Sequence, residues 1–291
     1  MIDIRQTPQY ANYLKKIGWQ VERAAEINYF VKKIPILGSV LKLQRPEEIR
    51  LKKIWEIAKK YKSFQIIIEP KTALDSNFLS SVGFKLSRSP YLPSKTLILD
   101  LTHSTNHLMR NMQKDSRAAI LRGEGPKLIF VNYGKVVKTE AKNEIRSGKT
   151  LQHNVGEFRD AWRGAVGPKR YVPPLSHLAA LKESFENNCL FVLAEDNSSG
   201  AIFLIGDKIS YYWQAFTNKE GRKALTQYKI VWEGISWAKS RGAKIFDFEG
   251  IYDERYPNKS WLGFTHFKKS FGGYEVAYPG CYTKTAFLFK R

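Results

Sequence analysis

Apolar residues recur at helical spacing in "LKKIWEIAKKYK" (51–62), run on without a break in "FQIIIEP" (64–70), and return in a short closing segment, "FLSSVGFKL" (78–86). The pattern predicts an amphipathic helix, a buried strand and a second short element. The same order recurs from Lys229, as "KIVWEGISWAKSRG", "AKIFDFEG" and "FKKSFGGYEV". Ala58-Lys59 aligns with Ala238-Lys239, Ile66 with Phe246, Ile68 with Phe248 and Glu69 with Glu249, all at one offset. After a longer "IYDERYPNKSWLG" loop in the second copy, Phe78, Ser81 and Gly83 correspond to Phe267, Ser270 and Gly272. We read this as an internal duplication. Chance agreement between amphipathic elements is the competing reading.

Within "FTHFKKSFGG" (264–273), Phe264, Phe267 and Phe271 fall on one helix face, and Gly272-Gly273 supply the left-handed residue that stops a helix. Period two fits part of the stretch as well, but the glycines and the strand-like "YEVAY" behind them favour the helix. Elsewhere "EINYFVKKIPILGSVLKLQ" predicts a hairpin turning at Pro35 and Gly38. "KTLILDLT" predicts a strand, and Ser104 or Thr105 caps one helix running to Arg122. "KLIFVNY", a mixture of helix and loop through Arg163, the helix "LSHLAALKESFEN" and the hairpin "LFVLAEDNSSGAIFLIGDKISYYWQAF" follow. The composite is mixed α/β, with meandering strands in each half.

A length of 291 residues suffices for two cores, and 43% hydrophobic with 13% aromatic residues is a globular composition. Charge changes the picture. The net +21, from 48 Lys and Arg against 27 Asp and Glu, favours an anionic partner: nucleic acid, anionic lipid or a phosphorylated substrate. Cys189 and Cys281 stand far apart, which excludes a disulfide framework or zinc spacing and fits a reducing cytoplasm. His103 and His107 lack the intervening glutamate of a zinc helix, so no metal is expected. No nucleophile elbow, Walker or Rossmann pattern occurs. The start "MIDIRQTPQYANYLKK" lacks an apolar signal core, and no run approaches the roughly 20 apolar residues that span a bilayer. Any membrane contact is expected to be peripheral.

Two sets of residues are candidates for chemistry. Arg110, Lys114 and Arg117 form a single basic stripe on the expected helix, with Arg122 and Lys127 beyond it. Such a stripe tracks a phosphate backbone, or is simply a solvated face. In "IFDFEG", Asp247 and Glu249 share one strand side with Ile245. Paired carboxylates do acid or base work or hold an amine, unless one of them pairs with a nearby cation.

The duplicated module closing in "FKKSFGG" resembles the acyltransferase fold of the GNAT superfamily. The Gly-rich acetyl-CoA loop is missing: "NKEGRKALTQY" has Gly221 but Lys223 where a second small residue would let pyrophosphate approach. A closer resemblance rests on "SKTLILDLT" with the basic "QKDSRAAILR", on "YYWQAF", on "QYKIVWEGISWAKSRGAKIFDFEGI" and on "FKKSFGGYEVAYPG". Jointly these are similar to the FemABX family of tRNA-dependent peptidoglycan aminoacyltransferases, most firmly in the C-terminal half.

The resemblance implies two tandem GNAT-like domains packed together, 1–103 (completed by 279–291) and 104–278, without a coiled-coil insertion. It implies transfer of an amino acid from aminoacyl-tRNA to an amine of a UDP-linked or lipid-linked muropeptide precursor. No cofactor is needed, and the location is cytoplasmic, with peripheral contact at the inner membrane surface allowed. Lys268 is similar to the family lysine that stabilises transition-state charge, with a buried Phe267 beside it, and Tyr228 resembles an active-site tyrosine. Asp247 and Gly250 match a "YDxGG" strand end, from which Phe246 and Glu249 depart. Asp247 is the candidate proton acceptor and Glu249 a substrate contact. Arg45, in "LQRPEEI", keeps the arginine of an "RGP" strand end without its glycine, and with Lys42 is the candidate contact to a substrate diphosphate. Arg110, Lys114, Arg117 and Arg122 are the candidate tRNA contacts. An acyl-CoA N-acyltransferase and a non-catalytic tRNA-binding protein are the alternatives.

Overall fold

The computed structural model describes residues 1–122, 125–132, 151–168 and 170–285. The helix and loop expected ahead of Arg163 fall largely on 133–150, outside the described residues, as do 286–291 of the expected completing segment.

The chain begins with α1 (Pro8–Lys16), which Thr7 caps and Pro8 starts, and a meander of β1 (Gln20–Ala24), β2 (Ile27–Ile34) and β3 (Gly38–Gln44). The first module follows as α2 (Leu51–Lys60), β4 (Ser63–Glu69), α3 (Ala73–Ser81) and β5 (Lys85–Leu86). Next come β6 (Lys95–Asp100), α4 (Thr105–Asn111), α5 (Lys114–Leu121), β7 (Leu128–Asn132), α6 (Leu151–Val166) and α7 (Leu175–Phe185). A second meander, β8 (Cys189–Ala194), β9 (Ser199–Gly206) and β10 (Ile209–Thr217), leads through α8 (Lys219–Lys223) to the second module. That module is α9 (Thr226–Ser240), β11 (Ile245–Asp247), α10 (Leu262–Lys269) and β12 (Tyr274–Ala277), and β13 (Tyr282–Thr285) comes last.

Two sheets result, ordered β1-β2-β3-β4-β13-β5 and β12-β6-β11-β10-β9-β8-β7. Each repeats one arrangement. An antiparallel pair (β2 with β3, β9 with β10) is followed by a parallel neighbour (β4, β11), and parallel neighbours require the helical crossover that α2 and α9 supply. The next strand in each sheet comes from outside the module: β13 lies antiparallel to β4, and β6 antiparallel to β11. The duplication is therefore one of topology. Ala58 and Ala238, Ile66 and Phe246, and Ile68 and Phe248 are all buried, and the closing glycines Gly83 and Gly272 share φ angles of 84° and 83°.

The chain divides into two compact units: Met1–Leu97 with Gly250–Thr265 and Glu275–Arg291, and Ile98–Glu249 with His266–Tyr274. In the first, α2 lays Ile54, Ile57 and Ala58 on Leu41, Leu43, Ile66 and Ile68. In the second, β8 and β9 are buried at every position, which is why "CLFVLA" shows no alternation. No described helix is long and apolar enough to cross a membrane.

Two expectations are corrected. The helix expected to run on to Arg122 is broken in two, because Met112 and Gln113 are extended (ψ 153° and 148°) and Gln113 donates its N–H to the Ser270 carbonyl at 2.9 Å. Phe264, Phe267 and Phe271 do not form one buried helix stripe, although Phe264 and Phe267 stand at i and i+3 of α10. Phe264 is exposed and packs on Trp261 at 5.2 Å, while Phe271, beyond the end of α10, is fully buried.

Candidate active site

The site forms where β11 ends. Its parallel neighbour β10 sets Tyr211 opposite Asp247, and its antiparallel neighbour β6 sets Ile98 there, so Asp247 closes a central strand. The chain then turns at once. Oδ1 of the buried Asp247 accepts the Glu249 N–H at 2.7 Å, and Glu249 takes a left-handed φ of 62°. The expected sharing of one strand face by Asp247 and Glu249 is thus corrected: a side-chain-to-backbone turn replaces the strand after Asp247.

Into this turn α10 brings Lys268 from its last turn, where unpaired carbonyls favour a cation. Its Nζ donates to the Phe248 carbonyl at 2.7 Å and lies 5.7 Å from the centre of the Tyr212 ring. Burial lowers the Lys268 pKa to about 8, against the opposing pull of the Glu249 and Asp247 carboxylates. At neutral pH the group is an ammonium close to its titration point. It can donate hydrogen bonds to a developing negative charge.

An aromatic wall flanks the lysine. Phe267 is half-buried, not buried as expected, because its ring meets Tyr228 edge to face at 4.8 Å instead of entering the core. Tyr228 stacks on Phe271 at 5.7 Å, and Phe271 touches Phe248 at 5.6 Å. Lys268, Asp247, Glu249, Phe267 and Tyr228 are therefore brought together.

Two further members escape a reading of the sequence. Gln227 Nε2 donates to the Tyr212 hydroxyl at 2.7 Å, and burial pushes the Tyr212 phenol up, with that hydrogen bond opposing. Tyr212 sits at an irregularity of β10 between Tyr212 and Gln214, of the kind that re-aims side chains beside active sites. The quoted "YYWQAF" holds the tyrosine, but its alternation gives no sign of the bulge.

The remaining candidates lie elsewhere. Arg45, in the first unit, is buried and left-handed (φ 47°); it stacks on Tyr278 at 3.6 Å and donates to Asp3 at 3.3 Å and the Pro93 carbonyl at 2.7 Å. This is the geometry of a structural cation rather than of one open to a diphosphate. Lys42 is half-buried, 4.3 Å from the Tyr91 ring centre and 5.5 Å from that of Trp19; burial lowers its pKa, with Glu69 and Cys281 opposing. On the second unit, the break before α5 divides the basic stripe. Arg110 belongs to α4, Lys114 and Arg117 to α5, and Arg122 follows as its cap. The set still clusters, since Arg117 donates to the Arg110 carbonyl at 3.3 Å, and Arg110, Lys114 and Arg122 are exposed. No group of three or more His, Cys, Asp and Glu among the described residues could hold a metal ion.

Comparison with solved structures finds the same fold in FemX, with a TM-score of 0.75 at 15% identity over 98% of this chain and 92% of that one. The C-terminal domain of a putative lysylphosphatidylglycerol synthetase from Agrobacterium fabrum aligns with a TM-score of 0.61 at 11% identity, covering 96% and 88%. L-PGS from Bacillus licheniformis aligns at 0.59 and 12%, covering 93% and 85%. No curated protein matches the sequence. The family comparison matches residues 178–287, from α7 through β13, to the FemAB family. That stretch, similar to the FemAB family, contains all of α9, β11 and α10.

Proposed function

We propose that the chain is an aminoacyltransferase that moves an amino acid from aminoacyl-tRNA to an amine of a peptidoglycan precursor. The observation that carries the reading is Lys268, an ammonium held on the Phe248 carbonyl beside two carboxylates. An aminoacyl ester is already activated, so the enzyme's task is to align the partners and stabilise the oxyanion. The amine nitrogen attacks the ester carbonyl, forming a C–N bond and a tetrahedral oxyanion that Lys268 meets with an N–H. Collapse breaks the C–O bond to the tRNA ribose. Asp247 or the departing ribose oxygen takes the amine's proton. Phe267 and Tyr228 wall the reacting groups, and Arg110, Lys114, Arg117 and Arg122 supply phosphate contacts for the tRNA.

The similarity of residues 178–287 to the FemAB family and the fold shared with FemX support this reading. The acyl-CoA alternative has less support: the Gly221 N–H, which would approach a pyrophosphate, already donates to Asn218 Oδ1 at 2.9 Å. Incubation with a pool of charged tRNAs and with UDP-linked and lipid-linked muropeptides should add an aminoacyl mass to one acceptor. Turnover of acetyl-CoA without tRNA, or tRNA binding with no transfer to any amine, would overturn the reading.

The pH profile provides a second test. The donor is the protonated lysine, so turnover at saturating substrate should fall as pH rises through about 8, the pKa to which burial lowers Lys268. The residual activity of a Lys268→Arg variant, whose guanidinium stays charged, should lack that alkaline limb.

A further inference from the structure

We propose that one end of the first unit docks on an anionic lipid surface, with the turn between β2 and β3 entering the acyl boundary. This surface is independent of the transfer chemistry above.

The turn is Pro35-Ile36-Leu37. Leu37 donates its N–H to the Pro35 carbonyl at 2.8 Å, and Ile36 between them has φ 70°. This three-residue turn is rare and strained, and a β-branched residue is the least suited to its centre. Ile36 is also fully exposed, at 106%, and Leu37 is 59% exposed. A glycine or asparagine would relieve the strain and remove apolar surface from water. The fold thus bears two costs at one residue without an internal contact in return, a pattern that accompanies function.

Lysines surround the tip. Lys33 pairs with Ser39 in the β2–β3 register, Ser39 with Ser63 in the β3–β4 register, and the Ser39 N–H donates to the Lys62 carbonyl at 3.2 Å. Lys62 and the start of β4 therefore lie at the base of the turn. The last turn of α2, carrying Lys59 and Lys60, leads into them. On the other side Gln20 pairs with Val31, which brings the end of α1, with Lys15 and Lys16 in its last turn, to the same end of the sheet. These lysine side chains are exposed, and Glu22 is tied to Lys60 and Tyr61, each at 2.6 Å.

Lipid suits this surface better than nucleic acid. Non-specific nucleic-acid sites pair cations with exposed aromatic platforms for the bases, whereas the rings beside these lysines, Trp19 and Tyr61, are half-buried and the exposed tip is aliphatic. An apolar tip inside a ring of lysines matches an acyl boundary beneath anionic headgroups.

The test is flotation of the full chain with phosphatidylcholine vesicles, with and without phosphatidylglycerol. Binding should require phosphatidylglycerol and weaken at high salt. Ile36→Asn with Leu37→Ser should lower partitioning by about tenfold or more, at unchanged or higher thermal stability, and Lys33→Glu with Lys62→Glu should do the same. Transfer to a soluble UDP-linked acceptor should be unaffected, which separates this inference from the functional reading. Failure of the parent to bind anionic vesicles, or parental binding by the Ile36/Leu37 variant, would overturn it. So would a Ile36/Leu37 variant that loses tRNA binding but keeps vesicle binding.

Discussion

Replacement of Lys268 by Met should lower turnover by roughly 100- to 1000-fold, the cost of removing one oxyanion donor, while leaving the affinity for both substrates near the parental value. The fold itself supplies the control. In the first module the matching position is Leu79, fully buried at the same point of α3. An apolar side chain is thus compatible with this place in the architecture. Met leaves the Phe248 carbonyl without its lysine donor but removes the burial that lowers the Lys268 pKa, and these two terms oppose each other. Thermal stability should therefore change little. Lys269→Met is the parallel control, because Lys269 is exposed and should be replaceable at near-parental rates. The measurement is single-turnover transfer from charged tRNA at saturating acceptor, with binding of each substrate followed separately. Parental turnover in Lys268→Met would end the catalytic assignment.

What could be read from the sequence was local. Helical spacing in "LKKIWEIAKKYK", the unbroken "FQIIIEP" and the closing glycines each follow from one short stretch, and the duplication came from comparing two such stretches. Lys268 becomes a candidate through the resemblance carried by "FKKSFGG", also a single short stretch. Features set by distant partners stayed hidden. No local signal breaks the chain at Met112 and Gln113, which contain neither Gly nor Pro; the Ser270 carbonyl, far along the chain, holds the break open. Arg45 reads in sequence as a candidate diphosphate contact, and partners remote in sequence, among them Asp3, Tyr278 and the Pro93 carbonyl, make it a buried structural cation. The strands β13 and β6 enter their sheets by long-range pairing, which periodicity cannot encode. Tyr212 was visible as a residue but not as a neighbour of Lys268, since that depends on the bulge and on Gln227.

Gly272→Ala and Gly83→Ala form a matched pair that should part company. Their φ angles of 83° and 84° impose the same left-handed strain on an alanine, about 1 kcal/mol or somewhat more. Their surroundings differ. A Cβ at Gly83 would meet the far end of a flexible lysine, Lys284 Nζ, at 3.2 Å, and that end can swing away. A Cβ at Gly272 would sit 2.9 Å from the backbone carbonyl oxygen of Asn111, which ends α4 and cannot move without disturbing the break that the Gln113-to-Ser270 hydrogen bond fixes. Gly83→Ala should therefore cost about 1–2 kcal/mol, and Gly272→Ala about 3 kcal/mol or more, seen as a larger drop in the denaturant midpoint. Activity should separate them further. The residues from Lys268 to Gly272 form one tight turn, in which Phe271 donates to the Lys268 carbonyl at 3.1 Å and Gly272 to that of Lys269 at 3.0 Å. Displacing Gly272 shifts the backbone that aims Lys268 at the Phe248 carbonyl, and small misplacements of such a donor are costly to turnover. Gly83→Ala should retain transfer, and Gly272→Ala should lose most of it even below the onset of unfolding. Equal losses in the two variants would mean that strain alone sets the cost and that the Asn111 carbonyl yields.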